Sequence, residues 1–183
     1  MKKRHLNINL DIIERCRNGE TDAQFFLYRQ YSKAMYNLAI RFLNNRMDAE
    51  DILQESFITA FEKLPSLADP DSFGSWIKRI VINNCIDHLK KKKIDFDSIG
   101  IYFETEDPGE SDLNSDPDPA IVHEGIRQLP DGSRIILSLH ALEGYKHREI
   151  AQMLNISEST SKSQYRRALE LLAVTLKNKI YAR

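Results

Sequence analysis

The sequence is poor in the residues that support covalent, redox or membrane functions. It has 183 residues but only two cysteines, one tryptophan and five histidines. Cys16 and Cys85 lie far apart and fit no CxxC or Cys/His spacing, so we expect two free thiols in a reduced, intracellular protein. No apolar stretch approaches the ~20 residues of a membrane span. The amino terminus is basic but has no apolar core or cleavage site, so we expect a cytoplasmic protein without a signal peptide or membrane insertion.

Charge is distributed very unevenly along the chain. The net charge is −1, yet residues 94–119 contain nine acidic residues and no Lys or Arg. Without that segment the remaining residues carry a net charge of +8, so the distribution of charge is more informative than the overall isoelectric point. The segment also contains three prolines and two glycines and has no helical period, which is typical of a flexible linker. We therefore predict two domains, residues 1–93 and 120–183, joined by an acidic linker at 94–119.

Both flanking blocks have the apolar periodicity of helices, and no segment alternates like a strand. We therefore predict an all-α fold of two small helical domains. The expected helices cover about 21–45, 47–64, 71–93, 120–128, 131–143, 146–154 and 157 onward. The apolar face of the first helix is predicted to contain Phe25, Tyr28, Tyr31, Met35, Leu38 and Phe42.

The stretch "YKHREIAQMLNISESTSKSQYRRALELL" predicts a helix-turn-helix. Ala151 is small where two helices would cross, and Asn155 tolerates the left-handed conformation of a sharp turn. Ser157 is a good N-cap for the second helix. The Ser161 hydroxyl faces inward on that helix, and it could bond back to the carbonyl of Ser157. The inner face of the second helix comprises Ser161, Tyr165, Ala168 and Leu172.

The outer face of this second helix is suited to DNA. Small hydroxyl residues on its first turns can enter the major groove, and basic side chains one turn later can reach phosphates or guanine edges. The net charge from 160 to 183 is +5. The alternative is a solvated polar face on an ordinary helical hairpin. The candidate DNA-binding residues are Ser159, Thr160, Lys162, Ser163, Arg166 and Arg167.

Two surfaces of the first block are unusual. The helix "DAEDILQESFITAFEKL" has an acidic face, which by itself indicates only a solvated surface; its residues are Asp48, Asp51, Gln54, Glu55 and Glu62. The next helix is both basic and aromatic, with a net charge of +5 over 74–93. Trp76, Arg79 and Asn83 share one of its faces, and Phe73 lies at its entrance. This combination suits single-stranded nucleic acid, because bases stack and phosphates pair. Taken separately, each feature has an equally good alternative explanation. Trp76 could be a core residue, and the run of four lysines could complement the helix dipole.

The order of these motifs resembles the bacterial sigma factors of the extracytoplasmic-function (ECF) group. The chain has "DAEDILQESF", then "FGSWIKRIVINN", the acidic linker and "GYKHREIAQMLNISESTSKSQYRRA". The resemblance covers nearly the whole chain apart from the linker and the amino terminus. It implies a dissociable subunit that binds core RNA polymerase and directs promoter recognition, DNA opening and transcription initiation. It also implies an anti-sigma factor as a partner.

By position, the resemblance assigns three binding surfaces. Asp51, Gln54 and Glu55 would bind core polymerase at the β′ clamp helices, with the β subunit as a further contact. The second helix of the helix-turn-helix would bind the −35 element. Ser161 and Gln164 depart from the family pattern, and we expect them to affect which −35 sequence is bound. The expected −10 surface comprises Asp71, Ser72, Phe73, Trp76, Arg79 and Asn83.

The residues alone leave two other classes of function open. A stand-alone helix-turn-helix regulator would bind duplex DNA by itself, as a dimer on a palindrome. An enzyme with a metal-carboxylate site could use Asp51 and Glu55, which lie at i and i+4. No ExxH pair or partner helix supplies further ligands, and the histidines are scattered. We therefore expect no enzyme, no metal site and no cofactor.

Overall fold

A computed structural model describes residues 2–92 and 118–181, and within these ranges the chain is helical without any β-strand. The all-α prediction is confirmed. The helices are α1 (Lys2–Arg17), α2 (Thr21–Leu43), α3 (Arg46–Lys63), α4 (Phe73–Lys91), α5 (Pro119–Gln128), α6 (Asp131–Leu137), α7 (His147–Leu154) and α8 (Glu158–Tyr181). Two 3₁₀ turns, Leu64–Ser66 and Pro70–Ser72, connect α3 to α4, and a π-helical turn at Ser138–Leu142 continues α6.

The chain divides into two compact units, Met1–Leu89 and Lys90–Arg183. Each unit has its own apolar core, as an arrangement of two small helical domains requires. Residues 94–117 of the expected acidic linker lie outside the described residues. Within the described ranges, no helix combines the length and the apolar character needed to cross a membrane.

Asparagine residues in the left-handed conformation end two of the helices. Asn44 follows α2 with φ of 49°, and Asn155 follows α7 with φ of 56°. Asparagine tolerates this conformation better than most residues because its short polar side chain can bond locally. Asn45 then caps α3, since its side chain accepts a 3.2 Å hydrogen bond from the backbone N–H of Asp48. These local signals set the sharp α2–α3 and α7–α8 turns.

The core of the first unit is formed by α2, α3 and α4. Tyr28 of α2 packs edge-on against Phe57 of α3, with ring centroids 4.9 Å apart. The expected position of Phe25 in this core is wrong, because its side chain is 59% exposed. Ala23 and Leu27 occupy the covered face of that turn instead. The Arg29 guanidinium lies 5.7 Å from the centroid of the Phe25 ring.

Helix α1 is an addition to the predicted fold, in which the first twenty residues have no assigned structure. Ile13 and Cys16 bury their side chains against the rest of the first unit. Arg17 at the end of α1 donates hydrogen bonds to the carbonyls of Leu64 and Leu67 in the α3–α4 connection. Helix α1 therefore supports the segment that leads into α4.

The core of the second unit is formed by α5, α6 and α8 around Ile126, Leu129, Leu137 and Ala168. Arg134 of α6 is also buried, with 1% of its surface exposed. Its guanidinium donates a 3.0 Å hydrogen bond to the carbonyl of Leu129 and forms a 2.5 Å ion pair with Asp131. A buried charge is tolerated when it is paired and hydrogen-bonded in this way.

Candidate nucleic-acid interfaces and the acidic face of α3

The acidic face of α3 consists of Asp51, Gln54 and Glu55, and all three side chains are exposed. The opposite face of the helix packs into the core of the first unit, so the acidic face has a fixed orientation. Two large apolar side chains adjoin it, with Met47 75% and Ile58 59% exposed. Neither residue is part of the surface predicted from the sequence. The sequence feature that indicates their exposure is an apolar side chain on the otherwise polar face of the helix.

Helix α4 presents Arg79 and Asn83 to solvent, and Trp76 is half-buried beside them. Phe73 departs from the expected −10 surface, because its side chain is only 2% exposed. Its ring packs edge-on against Tyr31 at 5.2 Å and lies 5.9 Å from the Trp76 ring. Phe73 therefore supports Trp76 from beneath, and it forms no part of the exposed surface.

Local hydrogen bonds shape the turn that precedes α4. The Asp69 side chain accepts a 3.1 Å bond from the backbone N–H of Asp71. The Ser72 hydroxyl donates to the carbonyl of Asp69 at 2.6 Å. Asp71 is exposed and Ser72 is half-buried, and both border the exposed part of α4. These two bonds stabilise the turn, and the bonds from Arg17 to Leu64 and Leu67 stabilise the segment before it.

Adjacent asparagines on α4 have different surroundings. The Asn84 side chain donates a 2.9 Å hydrogen bond to the hydroxyl of Ser56, which is fully buried on α3. The Asn83 side chain is exposed on the other side of the helix. Asn84 therefore joins α3 to α4, and Asn83 is available to a ligand.

The first turn of α8 contains a network of hydroxyl groups. The Ser157 hydroxyl accepts a 2.9 Å bond from the backbone N–H of Thr160, which caps the helix as predicted. It also lies 2.7 Å from the Ser159 hydroxyl and 2.8 Å from the Thr160 hydroxyl. The Ser163 hydroxyl donates to the carbonyl of Thr160 at 3.0 Å. These groups form a small polar surface at the amino-terminal end of α8.

Basic side chains follow this polar surface on the outside of α8. Lys162 pairs with Glu158 at 2.7 Å, and Arg166 pairs with Glu170 at 3.6 Å. The hydrogen bond and charge of Lys162 lower the pKa of the Glu158 carboxyl. Exposed ion pairs of this kind are weak, so both cations can exchange their carboxylate partners for phosphates. Arg167 lies beside them and is half-buried.

Ser161 and Gln164 face the interior of the second unit, with exposures of 0% and 7%. Gln164 accepts a 2.7 Å hydrogen bond from the buried hydroxyl of Ser133 on α6. The Ser161 hydroxyl lies 3.0 Å from Nδ1 of His147, which takes the place of the bond that it could make to the Ser157 carbonyl. That these two residues affect which −35 sequence is bound stays a prediction, and their inward direction means that such an effect would act through the position of α8. Both residues hold α8 against its neighbours.

In the parts of the chain that the structure describes, no group of three or more His, Cys, Asp or Glu side chains is placed to hold a metal ion. Asp51 and Glu55 in particular have no third ligand beside them among these residues.

Comparison with known proteins identifies both units. A model of Sigma-70 region 2 matches residues 27–94, and a model of Sigma-70 region 4 matches residues 120–172. The chain is 31% identical to the ECF RNA polymerase sigma factor SigW of Bacillus subtilis, over 91% of this chain and 95% of that protein. It is 29% identical to the RNA polymerase sigma-H factor of Pseudomonas aeruginosa, over 88% of this chain and 90% of that protein.

A solved structure has the same fold. It contains the sigma factor RpoE of Bartonella quintana in complex with the anti-sigma factor NepR, and it matches with a TM-score of 0.51 at 21% identity. The match covers 82% of this chain and 94% of that one. Three findings agree on the family of this chain. They are the matches to the two family models, the identity to SigW over nearly the full length of both proteins, and the acidic and basic surfaces on separate units. The chain belongs to the ECF group of bacterial RNA polymerase sigma factors.

Proposed function

We propose that this sigma factor docks on core RNA polymerase through the acidic face of α3. The carboxylates of Asp51 and Glu55 and the amide of Gln54 would pair with basic and polar groups of the β′ clamp helices. Met47 and Ile58, which are exposed on either side, would bury apolar area in the same contact. A fixed helix face that combines charge with apolar side chains supports this assignment. The β subunit would supply a further contact to the chain.

The second proposed site is the exposed face of α4 and the turn before it. Arg79 would pair with phosphates of the non-template strand, and Asn83 would bond an unstacked base. Trp76 would offer its ring for stacking, since Phe73 holds it from below. Asp71 and Ser72 would line the edge of the site. Binding energy gained by these contacts would offset the cost of unpairing the −10 element.

The third proposed site is the amino-terminal half of α8 in the major groove of the −35 element. The hydroxyls of Ser159, Thr160 and Ser163 would contact bases or phosphates. The basic side chains of Lys162, Arg166 and Arg167 would reach phosphates and guanine edges. This helix end has a hydroxyl network at its first turn and cations one turn later, which supports the assignment. The inward side chains of Ser161 and Gln164 set the orientation of the helix.

The partners follow from this assignment. The chain would work in the cytoplasm with core polymerase and promoter DNA, and it would contribute binding energy without a chemical step or cofactor of its own. An anti-sigma factor is the further partner that we propose, because the solved RpoE relative is in complex with one. Such a partner would compete for the surfaces named above.

One observation carries the proposal. A single chain combines an exposed acidic face on α3 with a basic outer face on α8, and the two belong to separate compact units. A test is to mix the purified chain with core RNA polymerase and follow both by size-exclusion chromatography. We expect stable 1:1 co-elution. Absence of co-elution, together with tight binding of duplex DNA by the chain alone, would favour a stand-alone helix-turn-helix regulator.

A further inference from the structure

His147 and Ser161 form a polar contact inside the helix-turn-helix. His147 is the first residue of α7, and its Nδ1 lies 3.0 Å from the hydroxyl of Ser161 on the inner face of α8. Ser161 is fully buried, so its hydroxyl has no access to water. The contact therefore joins the two helices of the motif at the level of the DNA-binding turns.

A second imidazole lies against the first. The His140 ring, on the π-helical turn, stacks on the His147 ring with centroids 4.1 Å apart and an interplanar angle of 22°. The Tyr165 ring of α8 is edge-on to both, at 4.6 Å from His140 and 5.6 Å from His147. Nδ1 of His140 lies 2.8 Å from the carbonyl of Tyr145, which can only accept, so this nitrogen carries a hydrogen.

We propose that His147 is a positioning residue for α8, which it holds through Ser161, and that uptake of a proton by His147 weakens this contact. Acid would then loosen the DNA-binding helix. The consequence for DNA rests on the proposed function of α8, whereas the change in the helix itself does not.

The surroundings of His147 disfavour a positive charge on its ring. The ring faces His140 on the π-helical turn and Lys162 on α8, and it stands in the first turn of α7, where the helix dipole is positive. Glu158 of α8 acts in the opposite direction. The Tyr165 ring of α8 also faces the His147 ring, edge-on at 5.6 Å. On α7 and just before it, the charged neighbours in sequence are Lys146, Arg148 and Glu149, and Glu149 is engaged by the backbone N–H of Lys146 at 2.7 Å.

The sign of the pH effect follows from these contacts. Burial, then His140 and then Lys162 lower the pKa of His147 below its ordinary value of 6.5. The unfolded chain therefore takes up this proton more readily than the folded chain does. The contribution of His147 to stability is complete above pH 6.5 and is lost as pH falls through the lower folded-state pKa.

The effect that we expect on DNA affinity is the opposite of the ordinary effect of acid on a histidine near DNA. A histidine that gains a charge near DNA ordinarily strengthens binding by adding electrostatic attraction. Here the charged ring would be disfavoured by burial and repelled by Lys162 and by the positive end of α7, which would move it away from the contact that holds the DNA-binding helix. We therefore expect weaker binding in acid.

The first experiment needs no DNA. Amide hydrogen exchange of residues 158–168 would be measured in the full-length chain at pH 7.5 and 5.5 and expressed as protection factors. The wild type should lose about fivefold more protection in acid than the His147→Phe/Ser161→Val double variant, which removes both polar partners. The His147→Gln variant can still bond Ser161 but does not titrate, so it should also keep its protection. Equal loss in the wild type and in a folded variant would overturn the proposal.

The second experiment uses DNA. The full-length chain with core polymerase would select a duplex from a random 30-base-pair pool at pH 7.5, and its affinity would then be measured at both pH values. The wild type should lose about fivefold more affinity in acid than His147→Gln. Arg167→Ala should weaken binding equally at both pH values. Equal acid effects in the wild type and His147→Gln would overturn the link to DNA. Failure to enrich any duplex would instead contradict the proposed function of α8, and hydrogen exchange would still decide the role of His147.

Discussion

Gln164 of α8 accepts a 2.7 Å hydrogen bond from the hydroxyl of Ser133 on α6, and both side chains are buried. Each group is the other's partner in a region that water does not reach. A buried pair of this kind adds little net energy while it is complete, but it costs a great deal when one partner is lost. It therefore fixes how α8 packs on α6 without adding charge to the core.

The Ser133–Gln164 pair leads to a prediction about the stability of the second unit. Gln164→Ala should lower the free energy of unfolding of this unit by about 1–3 kcal/mol, because the Ser133 hydroxyl stays buried without its partner. Urea unfolding followed by far-UV circular dichroism reports both units. Fluorescence of Trp76, the sole tryptophan, reports the first unit, and its transition should not move. A variant as stable as the wild type would contradict the role of the pair.

Adjacent asparagines on α4 provide a matched test of the −10 surface. Asn84→Ala should destabilise the first unit by about 1–2 kcal/mol, since it removes the partner of the buried Ser56 hydroxyl. Asn83→Ala should leave the Trp76 unfolding transition unchanged but weaken binding of a single-stranded −10 oligonucleotide by the polymerase complex. The two measurements should separate the variants completely. A destabilised Asn83→Ala protein would show that Asn83 has a structural role.

The acidic face of α3 should be needed for polymerase binding alone. Glu55→Ala should lower the affinity for core RNA polymerase about fivefold to tenfold, which corresponds to the loss of one charge-assisted hydrogen bond. Its unfolding transition should match that of the wild type because Glu55 is exposed. Glu14→Ala on α1, which also removes an exposed carboxylate, is the control and should bind normally. Equal affinities for all three proteins would contradict docking through this face.

The outer face of α8 should bind DNA through individual cations. Arg167→Ala should weaken binding to a selected duplex by about 1–3 kcal/mol and, if the contact is to a phosphate, should reduce the salt dependence of binding by roughly one charge. Lys177→Ala, further along the same helix, is the control for a general loss of charge. Fluorescence anisotropy over a range of salt concentrations measures both effects. An equal loss in the two variants would indicate non-specific attraction only.

Both thiols should be unreactive in the folded protein. Burial raises the pKa of Cys85 to about 12 and that of Cys16 to about 11. The thiolate is the reactive form, so iodoacetamide at pH 8 should label neither residue quickly, and both should react once urea unfolds the chain. Mass spectrometry of timed samples measures the two rates. Rapid labelling of Cys85 in the folded protein would contradict its place in the core.

Local signals in the sequence predicted the helix-turn-helix well. Asn155 takes the left-handed conformation and Ser157 caps α8, because each of these effects depends on a few neighbouring atoms. The helix boundaries agree for the same reason. The inward direction of Ser161 follows from the helical period and is also confirmed.

The partners of inward or partly apolar side chains could not be predicted, because they come from distant parts of the chain. The helical period alone does not decide whether the polar side chain of Gln164 faces the core or solvent. Its burial is explained by the position of Ser133, which donates a hydrogen bond to it. Phe73 was expected at the surface, but Tyr31 on α2 covers it. Phe25 was expected in the core, but periodicity does not indicate where the neighbouring helices end. The π-helical turn that places His140 beside His147 has no signal in the sequence that we could identify.

Reconstituted transcription measures the central claim most directly. Core RNA polymerase would be supplied with a linear template that contains a promoter enriched by the wild-type complex, and run-off transcripts would be counted with no added chain, with the wild type and with Glu55→Ala. Specific transcripts should require the chain, and Glu55→Ala should need a higher concentration to give the same yield. Transcripts that start at the same site without the chain, or a wild-type chain that only represses transcription, would contradict its action as a sigma factor.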